Sequence, residues 1–88
     1  MDPIIITVVD HFSGRDFDIE VPVDIEIFKL IDDITQTLHG YCPELWWDIA
    51  DVTLYSRRQR HRLDVNKTLH EEKVWNGDYI DILSSLTA

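Results

Sequence analysis

Four arginines fall within six positions of this chain: Arg57, Arg58, Arg60 and Arg62, in the stretch RRQRHR. A guanidinium offers carboxylates and phosphates a planar fork of donors. The cluster therefore points to an acidic protein surface, an anionic membrane or nucleic acid. Edge protection is the competing reading, because charges on an exposed hairpin discourage strand-to-strand aggregation. A second concentration is Trp46-Trp47, within YCPELWWDIAD. Adjacent tryptophans in an extended segment cannot both enter one core. Either one packs under its loop and leaves the other for an interface, where tryptophan is enriched, or both cover the open end of a small core. His39 and Cys42, three residues apart, could be half of a metal site or a nucleophile and its base. No second Cys/His pair completes four ligands, and His11, His39, His61 and His70 form no spaced set. The chain has no Gly-rich phosphate loop. Its acidic residues alternate with apolar ones, the mark of a solvated face rather than of paired catalytic carboxylates. The expectation is a protein without catalytic groups, metal or cofactor.

Composition narrows the partners. The formal charge is −9 over 88 residues, which argues against nucleic acid and for a protein partner. Half of the eight basic residues lie in the arginine cluster, so the rest of the chain is more acidic still. With 44% hydrophobic residues the chain should fold as one domain over residues 1–88. The single cysteine fits a reducing compartment. The start, MDPIIITVVDHF, lacks the basic segment and cleavage site of a signal peptide. No stretch approaches the roughly 20 apolar residues of a membrane span. A cytoplasmic protein without membrane insertion is expected.

The elements that must position these residues follow from periodicity. Residues 3–9 are β-branched and apolar, and read as a strand. Residues 16–21 alternate, with Phe17, Ile19 and Val21 on one face and Asp16, Asp18 and Glu20 on the other. A turn at residues 11–16 joins them as a hairpin, and Pro22 ends the second strand. Ile27, Leu30, Ile31, Ile34 and Leu38 make one apolar helix stripe, with Asp24 as the expected N-cap and Gly40 as the expected C-cap. Residues 52–55 read as a third strand, RRQRHR as a hairpin tip or strand edge, and Leu63 with Val65 as a short fourth strand. Leu69 and Val74 should point inward around a polar turn, and residues 79–83 form the last strand. One amphipathic helix over one mixed sheet of four to five strands is a two-layer α+β domain.

Side chains of a strand alternate between faces. With Ile4, Ile6, Val8, Leu54, Ile80 and Ile82 inward, Tyr79, Asp81 and Leu83 point outward. Ile5, Val9, Tyr55 and Leu83 are then expected to form an apolar patch on an open sheet face, and such a patch marks a partner site. A one-residue slip would instead place Asp81 in the core, at a cost of several kcal/mol if unpaired.

This order of elements resembles the ubiquitin-like β-grasp. Leu63, Leu69, Val74, Ile80 and Ile82 have the spacing of ubiquitin's buried residues over the same segment, and Thr68-Leu69 stands where ubiquitin has its own Thr-Leu. Three further features resemble the YukD/EsaB family of small ubiquitin-like proteins of Gram-positive type VII secretion systems. They are Val21-Pro22 before the helix, IFKLID at residues 27–32, and NGDYIDIL at residues 76–83. Neither Trp46-Trp47 nor the arginine cluster belongs to that pattern. The resemblance implies a cytoplasmic accessory or regulatory subunit of a secretion machine, its partner being the membrane-embedded ATPase or another component, with a homodimer as a further option. Ubiquitin itself uses the corresponding sheet face for binding. The ending, SSLTA, carries no diglycine, so a non-conjugated adaptor is expected. A sulfur carrier, a modifier or another small regulatory module on the same fold is the alternative.

Overall fold

The computed structural model describes residues 2–11, 14–41 and 52–84. Its elements are β1 (Ile4–Asp10), β2 (Arg15–Val21), α1 (Ile27–Tyr41), β3 (Val52–Ser56), β4 (His61–Arg62) and β5 (Tyr79–Ser84). The five strands form one sheet in the order β2-β1-β5-β3-β4. β1 and β5 run parallel at its centre, and every other neighbouring pair is antiparallel. Among the described residues, no helix is long and apolar enough to cross a membrane.

Alternation sets the register. Across β1 and β2, Ile6 faces Ile19 and Val8 faces Phe17 on the helix side, while Thr7 faces Asp18 and Val9 faces Asp16 on the other. Ile6, Val8, Ile19, Val21, Leu54, Ile80 and Ile82 of the sheet are buried in one cluster with Ile27, Leu30, Ile31, Ile34 and Leu38 of α1. Leu63, Leu69 and Val74 close the same core from the segment between β4 and β5. The inward sets expected from periodicity are therefore the ones observed.

Three boundaries differ from expectation, two of them because a distant segment supplies a bond. Glu26, not Asp24, takes the cap position of α1, its carbonyl accepting from the Lys29 and Leu30 N–H groups. The first helical donors, Ile27 and Phe28 N–H, bond to the carbonyls of Lys67 and Val65, so the helix start is capped by backbone from across the fold. Gly40 lies within α1, which runs on to Tyr41. The fourth strand is His61–Arg62 rather than Leu63 and Val65. Leu63 still donates its N–H to the Leu54 carbonyl, but at Asp64 the chain turns, with Asn66 N–H on the Asp64 carboxylate, and delivers those two capping carbonyls. Beyond it, Thr68 and Glu71 exchange side-chain-to-backbone hydrogen bonds, a capping box that holds buried Leu69 in place.

Candidate functional site

The outer face of the sheet is organised around a carboxylate. Val9, Asp81, Tyr55 and Arg62 form one row across β1, β5, β3 and β4. Asp81 points to the outer face, as alternation requires, yet it is only 5% exposed. Arg57 covers it from the β3–β4 turn with bonds from Nε at 3.0 Å and Nη2 at 2.8 Å. His11 Nε2 meets the same carboxylate at 2.8 Å from the end of β1. Burial alone would raise the Asp81 carboxyl. The hydrogen bonds and charges of Arg57 and His11 outweigh it and hold the group below the usual carboxylate range.

A second guanidinium is fixed in the same way one residue further on. Arg58 bonds the carboxylate of buried Asp78 at 3.0 Å through Nε and also at 3.0 Å through Nη2. Its Nη2 donates to the Lys73 carbonyl as well. Asp78 also accepts from the Trp75 N–H at 2.9 Å. Burial again pushes this carboxyl up, and Arg58 together with the Trp75 N–H brings it below its ordinary value. Each arginine lies over an aromatic ring: Arg58 at 3.8 Å from the Trp75 centroid and Arg57 at 5.6 Å from that of Tyr79. Such stacks contribute roughly 0.5–1 kcal/mol at exposed sites. The rings stay open to solvent, with Trp75 59% and Tyr79 48% exposed. Ile5, 50% exposed, is tied to the same turn by its N–H on Asn76 Oδ1 and by the Gly77 N–H on its carbonyl. Gly77 sits at φ 88°, which a side chain would strain. Arg57, Arg58, Gly77, Asp78 and Tyr79 line a shallow depression of about 370 Å³.

The expected apolar patch is not continuous. Val9, Tyr55 and Leu83 are on the outer face but half-buried. Ile5 and Leu83 lie at opposite ends of it, because Thr7, bonded to Asp18 at 2.6 Å, and the Asp81–Arg57 pair stand between them. The arginine cluster forms the expected hairpin tip and all four arginines are exposed, but Arg57 and Arg58 are tied to the buried carboxylates of Asp81 and Asp78. Arg60 adopts φ 60° to close the turn, donating its N–H to the Ser56 carbonyl. Trp46, Trp47 and Cys42 lie outside the described residues. Among the described residues, no group of three or more His, Cys, Asp or Glu converges as metal ligands. Sequence reasoning overlooked Trp75 as part of the site and Asp78 and Asp81 as its anchors. The available signal was parity: antiparallel β3 and β5 bring Arg57 to Tyr79.

No known protein-family profile matches the chain, and no curated protein matches it in sequence. Solved structures do match. A ubiquitin-like domain of an Arabidopsis thaliana protein superposes with TM-score 0.73 at 20% identity, over 96% of this chain and 79% of that one. The ubiquitin-like domain of Plasmodium falciparum Dsk2 gives TM-score 0.74 at 13% identity, over 94% and 99%. The ubiquitin-like domain of the Mycobacterium tuberculosis type VII secretion system protein EccD1 gives 0.71 at 17%, over 96% and 100%. Together with the strand order and the single helix, these likenesses establish that the chain has the ubiquitin-like β-grasp fold.

Proposed function

We propose that the chain is a non-enzymatic ubiquitin-like binding module, acting in the cytoplasm as an accessory or regulatory component of a type VII secretion system. The observation that carries a binding role is the outer sheet face. Two guanidiniums are locked on buried carboxylates there, beside exposed tryptophan and tyrosine. Arg, Trp and Tyr are the residues enriched where partners bind tightly. Support for the secretion context comes from the resemblance of Val21-Pro22, IFKLID and NGDYIDIL to the YukD/EsaB pattern, and from the likeness of nearly the whole chain to the EccD1 domain. The partner on this reading is a component of the machine, such as its membrane ATPase.

Deletion of the gene from its host, followed by measurement of WXG-type substrates in the culture medium, tests the role. Export should fall and recover with the wild-type chain. Unchanged export overturns the secretion context. Mass spectrometry of the C-terminus in lysate separates this reading from a carrier or modifier: a free carboxylate agrees with it, and an isopeptide or thiocarboxylate replaces it.

A further inference from the structure

We infer that the depression between the two arginine–aromatic stacks receives an acidic segment of a partner protein, a carboxylate between Arg57 and Arg58 with an apolar neighbour against Trp75 or Tyr79. The inference rests on the reading of the outer face as a protein-binding surface. It names the spot on that face and the chemistry of its occupant.

Pre-organisation is the first ground. Arg57 and Arg58 are oriented by Asp81 and Asp78 before any partner arrives, so binding need not freeze two long side chains. Their hydrogen bonds to these carboxylates run through Nε and Nη2, so the edge of each guanidinium that carries Nη1 faces away from its anchoring carboxylate. Asp78 borders the depression, but Arg58 and the Trp75 N–H engage its oxygens, so it does not confront an incoming carboxylate as a bare charge.

Charge is the second ground. Asp81 and Asp78 pair with Arg57 and Arg58, and Arg60 is exposed in the same turn. This hairpin tip carries half of the basic residues of a molecule of net charge −9. An acidic partner is repelled elsewhere and drawn here, which fixes orientation as well as place. A nucleic acid or lipid surface would need a wider basic track than one hairpin tip offers. The third ground is apolar. Tyr79 lines the depression and Trp75 lies against Arg58 beside it, their side chains 48% and 59% exposed, and an apolar side chain next to the acid would cover one of them.

The test is selection of a random linear peptide library on the full chain, followed by ¹H–¹⁵N spectra with the enriched peptide. Expected are sequences pairing Asp or Glu with Leu, Phe or Trp. They should shift the Trp75 indole N–H and the Arg57 and Arg58 Nε–H signals, and weaken with salt. Trp75→Ala should lower their affinity about tenfold. Arg58→Glu should also lower it, and so should Arg60→Glu, at an exposed position away from the Asp78 pair, which serves if Arg58→Glu fails to fold. Failure of any peptide to enrich, enrichment of basic peptides, shifts confined to β2, or stronger binding to inorganic phosphate or to phosphatidylglycerol vesicles would each overturn the inference. Lost export without acidic enrichment would defeat this inference alone. Acidic enrichment with normal export would defeat the secretion reading alone.

Discussion

On the helix side of β5, Ile80 and Ile82 are buried among aliphatic neighbours from β1, β3 and α1. On the opposite side of the same strand, Asp81 is nearly as buried, among Arg57, His11 and the flanking strands. The two faces are thus packed by different means. The inner face gains from apolar area removed from water. The outer face exchanges the hydration of a carboxylate for charge-assisted hydrogen bonds, which roughly offset its desolvation and fix where two arginines point. Alternation assigns a side chain to a face. Whether that face is wet depends on what the neighbouring loops lay over it.

The largest effect should separate the faces directly. Ile82→Ala, which opens a cavity in the core, should destabilise by roughly 2–5 kcal/mol. Leu83→Ala, on the half-buried outer side, should cost about 1 kcal/mol. Urea unfolding of both variants measures the gap. Equal losses would mean that the outer face is packed as a second core.

A smaller effect should test how the outer face is held. Asp81→Asn weakens the bonds to Arg57 and His11, and should cost about 1–2 kcal/mol at neutral pH. The loss stays below that of a fully buried pair because Arg57 can rehydrate. The sign with pH follows from the lowered Asp81 carboxyl. Its contribution is complete above the unfolded pKa of about 3.9 and fades as pH falls through the lower folded value. Wild type and variant should therefore converge on acidification below about pH 4. Melting temperatures across that range check it, and a gap independent of pH would show that the carboxylate's charge is not what matters.

The smallest effect belongs to the solvated part of the same face. The Thr7–Asp18 hydrogen bond is exposed to water. Thr7→Val should change stability by no more than about 0.5 kcal/mol. A loss as large as that of Asp81→Asn would extend the packed polar region from β5 to β2, and would blur the contrast between its centre and its rim.

Most of the architecture is visible in local pattern. The alternation of Phe17, Ile19 and Val21, the helix stripe from Ile27 to Leu38, and the inward placement of Leu54, Ile80 and Ile82 all hold in the structure. These are properties of neighbours along the chain, because strand and helix repeat every two and every 3.6 residues. The cap of α1 was not visible, since Val65 and Lys67 supply it from another part of the fold. The end of β4 was missed for the same reason.

The candidate site divides likewise. From composition and spacing alone, this chain is an acidic two-layer domain with a basic hairpin tip and an open sheet face. Only the tertiary structure decided that Arg57 and Arg58 are anchored rather than free, and that Ile5 meets the Trp75–Tyr79 end while Leu83 does not. The bonds responsible join Arg57 to Asp81 across 24 residues and His11 to Asp81 across 70. No periodicity spans such distances. They arise where a parallel β1–β5 pair and an antiparallel β3–β5 pair bring three separate segments to one carboxylate, and the low-dielectric surroundings of that carboxylate then require partners.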